Sequence, residues 1–274
     1  MDAKLLSVII PNYNNEKYIE QCIRSVLTQT YDSFKIIVID DCSTDGSREI
    51  LEKIEKKEPL VTVVFLEING GVSNARNIGI QYADTPYITC LDGDDFYFEP
   101  RKLEREMKLL LKYKEEGLDI LAYSLVVRVD DAGKIVSYPY YDAKKFYEGN
   151  VRLQLLSAVT EENFPRDYCV SRDIVQMVGA YSYPKNYYED YDLLVRLSEK
   201  IPFYCTKTNG TAYRFTPAGL SKRPKEDRHR TMHDIRVRNR RGLPFYELVV
   251  VQVLEYVNWV VELGVKIRIK LLRK

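Results

Sequence analysis

A chain of 274 residues, 30% charged and 45% hydrophobic, is long enough for one large domain, or a domain with a sizeable extension, around a real core. Its 41 basic residues offset 40 acidic ones to a net charge of +1, so the whole-chain field argues for neither nucleic acid nor an acidic substrate. Five cysteines, an odd count without a CxxC pair, fit a reducing cytosol, and Met1-Asp2-Ala3-Lys4 lacks the apolar run of a secretory leader, so a cytoplasmic protein is expected.

The first hundred residues alternate β-branched runs with helical stretches. Leu6 to Ile10, Lys35 to Ile39, Val61 to Leu66 and Tyr87 to Leu91 read as buried strands. Between the first two, Ile19, Cys22, Ile23, Val26 and Leu27 make one apolar stripe at helical spacing, with Asn14 or Asn15 available as N-cap. Helices are also expected from Gly46 to Lys57 and from Val72 to Tyr82. This alternation implies βαβ units, hence an α/β, Rossmann-like and mostly parallel sheet with helices on both faces.

Ligands bind such sheets at the carboxyl ends of the strands, and the polar motifs fall there. Pro11-Asn12-Tyr13-Asn14 follows the first strand, Asp40-Asp41-Cys42-Ser43-Thr44-Asp45-Gly46 the second, Asn69-Gly70-Gly71 the third and Asp92-Gly93-Asp94-Asp95 the fourth. Carboxylates clustered at the end of a buried strand are costly unless a cation or hydrogen bonds compensate. Mg2+ or Mn2+ suits a site of few carboxylates completed by phosphate oxygens and water.

Downstream, a helix is expected through Lys112, then Leu118 to Val129 and Lys134 to Tyr138 joined as a hairpin at Asp130-Asp131-Ala132-Gly133. This half reads as antiparallel and tyrosine-rich, and its tyrosines suit either a sugar or a small core. In Tyr187-Tyr188-Glu189-Asp190-Tyr191-Asp192-Leu193-Leu194-Val195-Arg196-Leu197 the leucines give a helix a buried face, and Glu189 and Asp190 lie at its positive end. That dipole is expected to lower a carboxylate pKa and keep a base ionised. His229 and His233 stand four apart without a HExxH pattern and read as surface residues.

The ordered set of Ser7 to Asn14, Ile39 to Ser47, Asn69-Gly70-Gly71-Val72-Ser73-Asn74-Ala75-Arg76-Asn77, Leu91 to Asp95 and Glu189 to Leu193 resembles the family 2, GT-A type inverting glycosyltransferases over roughly residues 5 to 220. The resemblance implies a nucleotide-sugar donor, probed by Pro11, Tyr13 and Asp41 around the base and by Arg76 at the diphosphate. It puts Asp94 near the ribose and Asp95 on the metal, with Asp94 a second metal candidate and Asp92 assisting or holding the turn. Asp190 is the expected base for the acceptor hydroxyl, Glu189 an acceptor-binding or orienting residue, and Arg214 a contact from a loop closing over the diphosphate. Where some relatives place a histidine metal ligand, this chain has Thr216. The acceptor implied is a saccharide or lipid-linked saccharide, and the pathway bacterial surface polysaccharide assembly. A non-catalytic binding or scaffold subunit of the same fold is the alternative.

The expected organisation is a nucleotide-sugar-binding half, 1–100, an acceptor-binding half, 101–221, and a basic, amphipathic helical extension, 222–274. Within the extension Glu247, Gln252, Glu255, Asn258, Glu262, Lys266 and Lys270 leave one wide apolar face, too interrupted by charge to span a membrane. Such a helix can lie on the inner face of the cell membrane against anionic lipid, pair in a homodimer or pack on the catalytic body.

Overall fold

The computed structural model describes residues 4–137, 148–158, 164–182, 188–215 and 225–272, with the side chains of 225–229 and 261–272 left out of the description. Strands β1 (Leu6–Asn12), β2 (Phe34–Asp40), β3 (Val61–Phe65) and β4 (Tyr87–Cys90) pair in parallel in the order β3-β2-β1-β4. All of β1 is buried because its two faces feed two cores. Leu6, Val8 and Ile10 pack with Ile19, Cys22, Ile23 and Val26 of α1 (Ile19–Leu27) and Leu51 of α2 (Ser47–Glu55). Ile9, one residue out of phase, packs with Ala75 and Ile80 of α3 (Val72–Tyr82). A β-carbon on Gly79 would stand 2.3 Å from Ile9 Cγ2, so the glycine lets α3 lie directly on β1.

The start of α1 differs from expectation. Neither asparagine side chain caps it. The Asn15 carbonyl accepts from the amides of Tyr18 and Ile19, while Asn14, in the left-handed region at φ 55°, turns its side-chain oxygen to the Thr44 amide. The asparagines therefore stitch the β1 end to the β2 end.

The second half comprises β5 (Phe96–Tyr97), α4 (Lys102–Glu115), β6 (Leu121–Val129), β7 (Ile135–Ser137), α5 (Arg152–Leu156), β8 (Arg166–Ser171), α6 (Arg172–Met177), α7 (Glu189–Ser198) and β9 (Phe203–Arg214). The expected hairpin is β6–β7, and β8 inserts antiparallel between β4 and β6. The half is mixed rather than antiparallel, because β9 runs parallel to β6 after the long α5-β8-α6-α7 crossover. Tyr213 and Arg214 end β9 instead of standing in a loop. Ala212 and Arg214 are buried there and pair with Val127 and Val129. Beneath the sheet, Lys102 and Glu106 form a fully buried ion pair at 2.8 Å; Lys102 also donates to the Asp167 carbonyl, and Ser124 donates to Glu106.

Helices α8 (Lys225–Asn239) and α9 (Phe245–Leu272) follow. Met232, Ile235, Leu243 and Val251 join the core under α5 and α7. Glu255 of α9 pairs with Arg236 and Arg240, and Asn258 donates to the Ser157 carbonyl. Glu255 and Asn258 of the polar stripe thus face the body, while Gln252 is exposed. Among the described residues, no helix is long and apolar enough to cross a membrane.

Candidate active site

The acidic turn is built by β4 and held from three sides. The Asp95 amide donates to the Asp92 carbonyl, and the Gly93 amide donates to the Pro11 carbonyl. A β-carbon on Gly93 would stand 3.0 Å from that same carbonyl, so the glycine lets the turn sit this closely against the β1 end and a side chain would push it off by a few tenths of an ångström. On the far side, Arg214 closes the turn with its backbone amide on Asp95 Oδ1 at 2.7 Å and its Nε on the Asp94 carbonyl.

The three carboxylates of the turn have different surroundings. Asp92 accepts from Arg76 at 2.6 Å and from Arg166 at 3.2 Å. Burial alone would raise its pKa; Arg76 and then Arg166 reverse that and hold it below the ordinary carboxylate range. Asp94 is pushed up to about 6 by burial and by the neighbouring Asp92 charge. Asp95 is raised well above its ordinary value by burial and by Asp94, and its Oδ2 is buried without a partner. An orphaned carboxylate oxygen beside a second destabilised carboxylate fits a divalent cation. Among the described residues no three His, Cys, Asp or Glu side chains converge to hold a metal ion by themselves. Thr216 lies outside the described residues.

Opposite the turn, α7 begins at Glu189 after Tyr188, whose backbone is left-handed at φ 60°. Arg76 spans the gap, with Nη1 on Glu189 Oε1 at 2.6 Å and Nη2 on Asp92. Glu189 does not follow the helix-dipole expectation: burial raises its pKa, with Arg76 opposing and the Asp190 charge reinforcing. Asp190, the second residue of the helix, accepts from the Tyr191 amide through Oδ1. A small cavity of about 30 Å³, open toward solvent, lies between these elements, lined by Arg76, Asp92, Arg166, Tyr168, Tyr181 and Asp190 among others.

The remaining expected residues take distinct places. Asp41 is buried, its oxygens accepting from the amides of Gly70 and Gly71 at 2.8 and 2.7 Å, which ties the β2 end to the turn leading α3. Pro11 is buried beside Gly93 and Tyr13 is exposed. Arg214, in contrast to a mobile-loop contact, is buried with its guanidinium on the carbonyls of Asp94, Asp130 and Asp131 and on Gln21. It organises the turn from behind. His233 is exposed on α8, and the His229 side chain is outside the description.

Two cleft residues, Arg166 and Asp167, were not singled out by any motif. Arg166 also lies over the Tyr213 ring at 4.3 Å, and Asp167, held at φ 48°, is pushed up to about 6 by burial against the opposing Arg166. No spacing in Phe164-Pro165-Arg166-Asp167 marks them. Only the insertion of β8 next to β4 does.

The family description glycosyl transferase family 2 matches residues 7–167, more than half of the chain. The chain belongs to glycosyl transferase family 2. This family 2 chain is 39% identical over 124 residues to a candidate teichuronic acid biosynthesis glycosyltransferase, TuaG, of Bacillus subtilis, covering 45% of this chain and 48% of that one. It is 32% identical over 203 residues to the uncharacterized glycosyltransferase EpsJ of the same organism, covering 73% and 54%. The chain spans about half the length of these relatives. Among solved structures, S. aureus TarS 1-349 with UDP-GlcNAc superposes with a TM-score of 0.68 at 20% identity, over 91% of this chain and 70% of that one. The mannosyltransferase PcManGT of Pyrobaculum calidifontis, with GDP-Man and Mn2+, gives 0.68 at 16% identity, over 93% and 70%. At these identities the likeness concerns the fold, which is the GT-A arrangement expected.

Proposed function

We propose that this family 2 chain is a metal-dependent inverting glycosyltransferase, moving a sugar from a UDP-linked donor to a saccharide or lipid-linked saccharide in bacterial surface polysaccharide synthesis, on the cytoplasmic side. The observation that carries the reading is the convergence of Arg76, Asp92 and Asp190 on one cleft beside a turn whose Asp94 and Asp95 need a cation. The TarS and PcManGT complexes support a nucleotide-sugar donor, and the relatives' names support the pathway class.

In this reading Asp41 and the segment of Pro11 and Tyr13 hold the nucleobase, with lone pairs of Asp41 still free beyond its two amide bonds. Asp94 lies toward the ribose. Arg76, fixed by two carboxylates, is a preorganised cation for the leaving diphosphate. Asp92, neutralised by two guanidinium groups, positions Arg76 and Arg166 toward the cleft. Inversion needs a base on the face opposite the leaving group, and the unshared oxygen of Asp190 takes the proton of the acceptor hydroxyl as the oxocarbenium-like centre forms. Glu189 orients the acceptor or Arg76. A divalent ion, when bound at Asp95 and Asp94, supplies Lewis-acid stabilisation of the diphosphate.

The test is nucleotide release from a panel of UDP- and GDP-sugars, with and without EDTA, for the wild type and Asp190→Asn. The variant should bind nucleotide as the wild type does and lose transfer by about 10²–10⁴-fold. Near-wild-type transfer by Asp190→Asn would remove the base assignment, and no nucleotide binding with Mn2+ would favour the non-catalytic subunit.

A further inference from the structure

Helix α9 is amphipathic in the wrong sense for a helix whose packing is complete. Its polar residues Glu255 and Asn258 are turned inward, onto Arg236, Arg240 and the Ser157 carbonyl, together with Val251 and Leu248. Facing away are Val249, Val250, Val253, Tyr256, Val257, Trp259 and Val260, between 39% and 66% exposed. Among the described side chains of α9, no exposed one is charged. Inward ion pairs fix the rotation of the helix, so the outward apolar strip is presented rather than loosely displayed.

Charge selects the occupant. Residues 222–274 hold fourteen Lys and Arg against six Asp and Glu, while the rest of the chain holds 27 against 34. A second copy pairing α9 to α9 would bring two strongly positive extensions together. An anionic lipid surface would meet them with opposite charge and attract the basic residues near it. Tyr256 and Trp259, 66% and 53% exposed with ring centroids 6.3 Å apart, suit the headgroup level. The 28 residues of α9 extend about 42 Å, and Glu255 and Asn258 bond one side of the helix to the body, which leaves the other side to lie along a surface in the in-plane orientation.

We infer that the outward face of α9 docks on an anionic lipid surface, with the helix lying in the interface plane and its inward Glu255 and Asn258 anchoring the catalytic body to it. The reaction cleft would then work beside the membrane, where a lipid-linked acceptor is carried.

The experiment is vesicle flotation of the full chain, with phosphatidylcholine alone and with one-third phosphatidylglycerol, for the wild type and Val253→Glu/Val257→Glu. Both positions are exposed, so the double variant should keep its circular dichroism and its nucleotide release with a soluble acceptor. The wild type should float with the anionic vesicles, not with the neutral ones, and less as salt rises; the double variant should lose at least about tenfold in partitioning. Flotation needs no catalysis, so the outcome is independent of the transferase reading. Equal flotation of variant and wild type would overturn the inference. So would a wild-type dimer, detected by light scattering, that the double variant disperses while neither form floats.

Discussion

Replacing Arg76 with Met removes the cation that joins the acidic turn to the start of α7. Two bonds of 2.6 Å are lost, from a side chain only 8% exposed to partners that are 23% (Asp92) and 8% (Glu189) exposed. Asp92 keeps Arg166 at 3.2 Å, whereas Glu189 has no other cation among the described residues and feels the Asp190 charge. Removing one partner of a buried pair costs about 3–5 kcal/mol, because the remaining charge is left uncompensated. The pH dependence has a definite sign. Glu189 already titrates above its ordinary value with Arg76 present, so in Arg76→Met it takes up a proton readily as pH falls and the penalty shrinks. Asp92, depressed in the wild type, contributes stability above its unfolded pKa that is lost only as pH falls below the ordinary carboxylate range toward its folded value, so the change over roughly the first two units below neutrality comes from Glu189. Urea unfolding at neutral pH and again about two units lower should show the full loss first and a clearly smaller one second. Arg76→Met/Glu189→Gln should recover part of the neutral-pH loss. A loss under about 1 kcal/mol at neutral pH, or one that stays constant as pH falls, would refute the reasoning.

Lys102→Met should cost a further about 3–5 kcal/mol in the same assay by stranding buried Glu106, whereas Lys102→Met/Glu106→Leu should return most of it. Mn2+ added without nucleotide should raise the melting temperature at neutral pH. Its affinity by calorimetry should fall as pH drops through about 6, where Asp94 takes a proton that the ion must displace. In the metal-free protein the sign at Asp94 is reversed from that of Asp92: its raised pKa removes stability as pH rises from the ordinary carboxylate range through about 6, and Mn2+ should restore it.

The nucleotide-side strands were legible because each is a short β-branched run ending in polar residues, and burial on both faces leaves that pattern nearly continuous. β1 extends two residues past the expected Ile10 because Pro11 and Asn12 still pair with Ile39 and Asp40. Asp92, Asp94, Asp95 and Asp190 were legible as types in clusters. Their division of labour was not, since it depends on which carboxylate Arg76 and Arg166 reach, and Arg166 arrives from a strand 74 residues downstream of Asp92. Arg214 was visible as a cation near a motif, but its burial follows from β9 running parallel to β6, a pairing of distant segments that no local period encodes. The apolar face of α9 was readable from its period; the direction it faces depended on Arg236 and Arg240 meeting Glu255.

Arg214 also bears on the order in which the molecule can assemble. Its amide satisfies Asp95 Oδ1, its guanidinium ties Asp94 to Gln21, Asp130 and Asp131, and its strand supplies the partner of Phe96 and Tyr97. The contacts to Asp94, Asp95 and Gln21 close loops of more than a hundred residues, which a growing or collapsing chain forms late. The first four strands can pair with one another beforehand, but the acidic turn they carry stays unfastened until residue 214 is in place. A chain interrupted before β9 would have the parallel sheet without a settled carboxylate cradle, so the onset of metal or nucleotide binding during refolding would report the arrival of β9 rather than collapse of the sheet.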